Sequence, residues 1–149
     1  MAQMFEQVHG VFEKAASRFV VVGAIGFAVD SAVLTLLVNL TDLGVYLPRL
    51  ISFPTALSVT WYLNRIWTFP GATGQRRVSQ YMRYTVVQTL GALLNLGVYS
   101  AAIAIGPSWY SVYVVVPLVI GSCTALVFNF AGSKYWVFGR RTSPTGGPT

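Results

Sequence analysis

The chain has 149 residues, 54% of them hydrophobic and only 9% charged, with a mean hydropathy of +0.61. Soluble domains carry about a quarter charged residues, so lipid is the expected solvent for what length alone suggests is one domain. The net charge of +6 does not point to nucleic acid, because the basic residues close apolar runs instead of lining a groove. Single Cys123 and single His9 give no internal disulfide and no metal-ligand pattern, and His9 reads as a surface residue.

Residues 1–17 form a short lead-in. Met4, Val8, Val11 and Ala15 recur at helical spacing, with Glu6, Glu13 and Lys14 elsewhere on the turn, which fits a helix lying in the membrane interface. A signal peptide fits poorly, since acids stand where a basic n-region would be. The first spanning segment is expected from about Arg18 to Leu40, long enough for the roughly 30 Å hydrocarbon core. A turn follows at residues 41–44. A second segment runs from about Tyr46 to Phe69, with Pro48 suited to a helix start. Residues 70–77 then break the chain and make the connection basic. The third segment spans about Tyr81 to Ile105, and the fourth about Tyr110 to Phe138, with Pro117 marking where its regular part begins. The tail over residues 139–149, rich in Gly, Pro, Ser and Thr, reads as disordered. The expected fold is an all-α membrane protein of four transmembrane helices, residues 18–138, without an extramembrane domain.

Lys14, Arg18, Arg65, Arg76, Arg77, Arg83, Lys134, Arg140 and Arg141 cluster at the N-terminus, the middle connection and the C-terminus, and only Arg49 falls at the opposite ends of the segments. The positive-inside rule therefore puts both termini and the middle connection in the cytoplasm.

The segments repeat. Laying Arg18 on Arg83 also matches Phe19 with Tyr84, Gly26 with Gly91 and Asp30 with Asn95. Laying Arg65 on Lys134 matches Pro48 with Pro117, Thr55-Ala56-Leu57 with Thr124-Ala125-Leu126, Trp67 with Trp136 and Phe69 with Phe138. Chance similarity of apolar stretches would not hold Pro, a cation, Trp and Phe in one register. Each half, 18–69 and 83–138, is a helical hairpin with an even number of crossings. The repeat is therefore parallel, about an axis along the membrane normal.

Asp30 is the sharpest single residue. It lies roughly 18 Å along the first helix from Arg18, where an acid costs about 2.5–3.5 kcal/mol on insertion scales. Gly23, Gly26 and Asp30 share one helix face, and Gln88, Gly91 and Asn95 repeat that face in the third helix. Such residues serve either as interhelical hydrogen-bond partners or as a polar path. Thr60, Asn64 and Trp67 share a face of the second helix, repeated by Asn129, Ser133 and Trp136. Beside these stripes stand Arg65 and Lys134, which are either interfacial anchors or a binding site for an anionic lipid headgroup. Arg18 and Arg83 read as topology signals. Ala24, Ala28 and Ala32, Gly97 with Ala101, and Gly121 with Ala125 have the spacing of close helix packing. A phosphate loop, a nucleophile–base arrangement and a His or Cys cluster are all missing from the sequence, so neither catalysis nor a cofactor or metal is expected.

The run Arg18-Phe19-Val20-Val21-Val22-Gly23-Ala24-Ile25-Gly26 with Asp30, then Asn64-Arg65-Ile66-Trp67-Thr68-Phe69, then Lys134-Tyr135-Trp136-Val137-Phe138 resembles the GtrA-like family of small four-helix membrane proteins. Ser133 stands where an Asn is often seen. The resemblance implies a part in cell-surface polysaccharide synthesis. A polyprenyl-phosphate-linked monosaccharide would be moved from the cytoplasmic to the outer leaflet of the cell membrane, where membrane-bound glycosyltransferases use it. On that expectation Arg65 and Lys134 hold the phosphate, flanked by Trp67 and Trp136, and Asp30, Asn64 and Asn95 bind sugar hydroxyls. The alternatives are a non-transporting scaffold that anchors a glycosyltransferase and, further off, a small multidrug-type exporter. A homodimer would enlarge the small enclosure that four short helices provide.

Overall fold

The computed structural model describes residues 2–42, 44, 46–72, 76–111 and 113–139. The expected disordered tail lies, beyond Gly139, outside them. Within the described residues the chain is entirely helical: α1 (Ala2–Leu40), α2 (Arg49–Leu63), α3 (Arg77–Ile105) and α4 (Val115–Gly132), with short turns of tighter helix at Pro70–Ala72 and Ser108–Ser111. The expected lead-in is helical and continuous with the first span, so that α1 reaches about 58 Å. Both helix-starting prolines sit where sequence placed them. Pro48 directly precedes α2, and Pro117 lies in the first turn of α4, where a missing N–H leaves no bond unmade.

Three helices are long and apolar enough to cross a membrane, over Gly10–Leu40, Arg77–Ile105 and Val115–Val137. Their outer faces carry large apolar side chains that water would not tolerate, among them Leu36, Leu90, Ile105 and Val127. α2 is shorter, at 15 residues, and more polar, with Ser52, Thr55, Ser58 and Thr60 along it.

α2 ends in a wider turn, Asn64–Thr68, and α4 ends in the same way at Ser133–Val137. In each the amide of the following phenylalanine reaches back five residues: Phe69 N–H to the Asn64 carbonyl at 2.7 Å, Phe138 N–H to the Ser133 carbonyl at 2.8 Å. These π-turns occupy matched positions of the two halves. The carbonyls they leave at the helix ends are met by matched cations. Arg18 Nη1 donates to the Trp67 carbonyl at 3.0 Å, and Arg83 Nη1 to the Trp136 carbonyl at 3.1 Å. Cations at C-terminal helix ends also favour the helix dipole, so Arg18 and Arg83 do more than mark topology.

The same bonds fix direction. Arg18, midway along α1, lies beside the turn that ends α2, and Asp30, further along α1, lies beside Arg49 at the start of α2, so α1 and α2 are antiparallel. The main packing is α1 on α2 and α3 on α4, with lighter contacts of α2 on α3 and of α1 on α4. The four helices thus form a ring in chain order, and the space between its diagonals is the centre of the molecule.

Candidate functional site

That centre is a cavity of about 360 Å³ with walls from all four helices. Glycines set its shape. A Cβ on Gly26 would overlap the Thr60 methyl group, and one on Gly91 would overlap the Asn129 amide. These are matched pairs of the repeat: each hairpin brings a polar residue of its second helix against a glycine of its first. Gly121 likewise leaves room for Asn95. The stripes Gly23, Gly26, Asp30 and Gln88, Gly91, Asn95, expected from helical spacing, therefore do turn to a common centre.

Asp30, Asn64 and Asn95 line the cavity, joined by Thr60, Gln88 and Asn129. Several oxygens on these walls have no partner: Asp30 Oδ1, Asn64 Oδ1 and Asn129 Oδ1 are buried without a hydrogen bond. Asn64 is held by its amide nitrogen, which donates to the Tyr84 hydroxyl at 3.1 Å. Leaving a buried acceptor unmade costs about 1–3 kcal/mol. The walls are therefore arranged to receive donors such as hydroxyl groups.

The charge in the cavity is one ion pair. Arg49 Nη1 meets Asp30 Oδ2 at 2.9 Å, with the Asp30 side chain 15% exposed and that of Arg49 54% exposed. Among the described residues no other charged side chain lines the cavity. The positions matched to this pair in the second half are Asn95 and Leu118, so the pair belongs to one half alone.

At the basic end an aromatic layer closes the space. Phe69 and Phe138 stack, and each packs against a cavity-lining ring of its own half, Phe69 on Phe19 at 6.4 Å and Phe138 on Tyr84 at 6.0 Å. Phe130 joins from α4. Leu57, Val87 and Val137 fill the layer around these rings.

The remaining expected site residues lie outside the cavity lining. Arg65 is 6% exposed and donates through Nη1 to Gln80 Oε1, with its guanidinium 5.8 Å from the Trp61 ring. Gln80 in turn donates to the Ala72 carbonyl at 3.2 Å. Arg65 thereby ties the end of α2 to the following turn and to the start of α3. Lys134 Nζ sits 4.0 Å from the Phe12 ring centroid and 5.1 Å from that of Tyr135, a cation–π contact between partly exposed groups. Trp67 and Trp136 are half exposed on the outside of their π-turns. None of these four touches the space that holds Asp30, Asn64 and Asn95.

Two features escaped the reading of the sequence. In the sequence Arg49 reads only as the one basic residue at the opposite end. That isolation, together with an unpaired acid elsewhere in the membrane segments, was the signal that could have joined it to Asp30. Ala24, Ala28 and Ala32, expected to pack within the fold, are exposed, as are Gly97 and Ala101, whereas Gly121 and Ala125 are buried. Spacing gave the stripe but not its partner.

Residues 18–138 match the family model described as the GtrA/DPMS transmembrane domain. No curated protein matches the chain.

Proposed function

The chain belongs to the GtrA/DPMS transmembrane-domain family, and from that premise we propose that it moves a polyprenyl-phosphate-linked monosaccharide from the cytoplasmic to the outer leaflet of the cell membrane, supplying glycosyltransferases of cell-surface polysaccharide synthesis. The observation that carries this reading is the central cavity. A ring of helices with an apolar exterior encloses oxygens of Asp30, Asn64 and Asn129 that lack donors, and a sugar is a dense source of hydroxyl donors. The prenyl chain stays outside in lipid, against the apolar faces of the ring. The step is passage alone, with no bond made or broken.

In this reading α2 crosses the membrane as a fourth helix. Its antiparallel packing on α1 supports the crossing, and its hydroxyls are tolerated because Thr55, Ser58 and Thr60 donate back to the helix's own carbonyls, of Ile51, Pro54 and Leu57. Both termini then lie in the cytoplasm with the basic residues. Lys134, Trp67 and Trp136 meet the headgroup at the inner leaflet, and Arg65 reaches the phosphate when its Gln80 contact opens. The aromatic layer of Phe69 and Phe138 separates that entrance from the cavity, so this conformation is closed on the basic side.

Reconstitution into liposomes tests the proposal. The protein should accelerate leaflet exchange of a polyprenyl-phosphate glucose over protein-free vesicles, and Asn64→Leu should abolish the gain. Equal rates with and without protein would rule transport out. A scaffold that anchors a glycosyltransferase is the second reading, favoured by the exposed Ala24, Ala28 and Ala32 face. It predicts that leucines on that face, and not changes in the cavity, remove function in cells.

A further inference from the structure

The Asp30–Arg49 pair stands out because the fold does not need it. In the matched pair of helices the same places hold Asn95 and Leu118, and Leu118 is half exposed on the surface of α4. Two helices of this family of shapes therefore pack without an ion pair at that level. Placing a charged pair among membrane helices carries a desolvation cost that packing alone would not select for.

The geometry of the pair leaves capacity on both partners. Arg49 uses Nη1 on Asp30 Oδ2, and the rest of its planar fork is open on a side chain that is 54% exposed. Arginine's fork matches phosphate oxygens two at a time. Asp30 keeps Oδ1 buried and without a donor. An anion accepted by Arg49 would lie next to a carboxylate oxygen that accepts hydrogen bonds from hydroxyl groups. One site thus asks for a phosphate with a hydroxyl-bearing group beside it.

We infer that Asp30 and Arg49 form a phosphosugar-reading site at the end of the cavity opposite the aromatic layer, with Arg49 binding the phosphate oxygens while Asp30 orients the guanidinium and accepts a sugar hydroxyl. This rests on the proposed function and adds residue roles to it: the phosphate is held from inside the cavity by Arg49, a cation at the far end from Arg65 and Lys134. By the orientation proposed above, that end faces the outer leaflet. The same chemistry would also take a free sugar phosphate, so lipid-linked and free ligands have to be told apart.

The test is equilibrium binding to the purified full-length protein in nanodiscs. Four probes are used: a short-chain prenyl-phosphate glucose, the prenyl phosphate without sugar, a prenyl glucoside without phosphate, and glucose 1-phosphate. Arg49→Leu should weaken both phosphate-bearing prenyl probes by at least about tenfold, the effect of losing a charge-assisted hydrogen bond, and leave the glucoside unchanged. Asp30→Asn should weaken the prenyl-phosphate glucose more than the prenyl phosphate. The double variant Asp30→Asn/Arg49→Leu copies the second half of the chain and is expected to fold. If it does not, Arg49→Lys, which keeps the charge, decides by the loss of the bidentate contact. Arg49-dependent binding of glucose 1-phosphate as tight as that of the prenyl form would keep the site and make its ligand a free sugar phosphate. Wild-type binding that survives all of these substitutions would overturn the inference while leaving the proposed function standing. Wild-type protein that binds none of the prenyl phosphates removes both.

Discussion

The rings of Phe69 and Phe138 stack with centroids 5.0 Å apart and planes 18° from parallel, and the two residues hold the same place in the two halves of the chain. Each follows a π-turn and each receives its direction from the reach-back of its own amide. The two halves therefore meet through their most similar residues, on the pseudo-axis, and the contact closes one end of the cavity. Removing one ring should open a hole that its partner leaves empty. Phe138→Ala is expected to lower stability by about 3–5 kcal/mol, the range for large buried rings. Leu36→Ala, on the exposed face of α1, should leave the unfolding temperature in detergent nearly unchanged. Similar losses for both would show that the stack contributes little.

The glycines of the cavity wall predict a graded response. Gly91→Ala and Gly26→Ala each force a methyl group into a side chain of the facing helix, and overpacking of this kind costs about 1–3 kcal/mol. Gly23→Ala adds a methyl group to open space and should be silent. Trimming the obstacle should restore Gly91→Ala, so the pair Gly91→Ala/Asn129→Ala should unfold at a higher temperature than Gly91→Ala alone. Thermal unfolding of the four variants measures this directly.

Arg65 is buried against Gln80, which links two helices through the Ala72 carbonyl. Gln80→Leu should therefore destabilise the protein by about 1–3 kcal/mol, since it withdraws an acceptor from a buried guanidinium. If thermal unfolding is unmoved by Gln80→Leu, Gln80 is no brace for Arg65.

Arg18 and Arg83 cap equivalent carbonyls, so removal of either should have a small effect. Arg18→Ala and Arg83→Ala are each expected to cost about 0.3–1 kcal/mol, and to speed hydrogen exchange of the amides in their own π-turn only. Exchange that rises equally in both turns for either variant would mean that the two ends unfold as one unit.

The crossing of the short helix α2 has a direct readout. In a Cys123→Ser background, Tyr46→Cys lies before α2 and Val78→Cys lies after it, and both wild-type side chains are well exposed. A membrane-impermeant maleimide should label Tyr46→Cys in intact cells and Val78→Cys only after the membrane is opened. Labelling of both from outside would show that α2 turns back without crossing.

Composition and periodicity by themselves determined the lipid-like exterior, the positions of the four helices, the duplicated register and the inward turn of Asp30, Asn64 and Asn95. These are local or translational properties: a helix's period says which residues share a face, and a repeat is visible because it copies that period. Tertiary structure alone decided what each face meets. Asp30 finds Arg49, Arg65 finds Gln80, Lys134 finds Phe12, and the Ala24 stripe faces outward, because partners distant in sequence depend on the rotation and tilt that all four helices settle together. The π-turns add a further local twist after Leu63 and Gly132 that no hydrophobic pattern encodes, and Trp67 and Trp136, which helical spacing had joined to the stripes, lie outside the cavity lining. The cavity and its polar wall were thus legible in outline, while the identity of its one cation was a matter of packing.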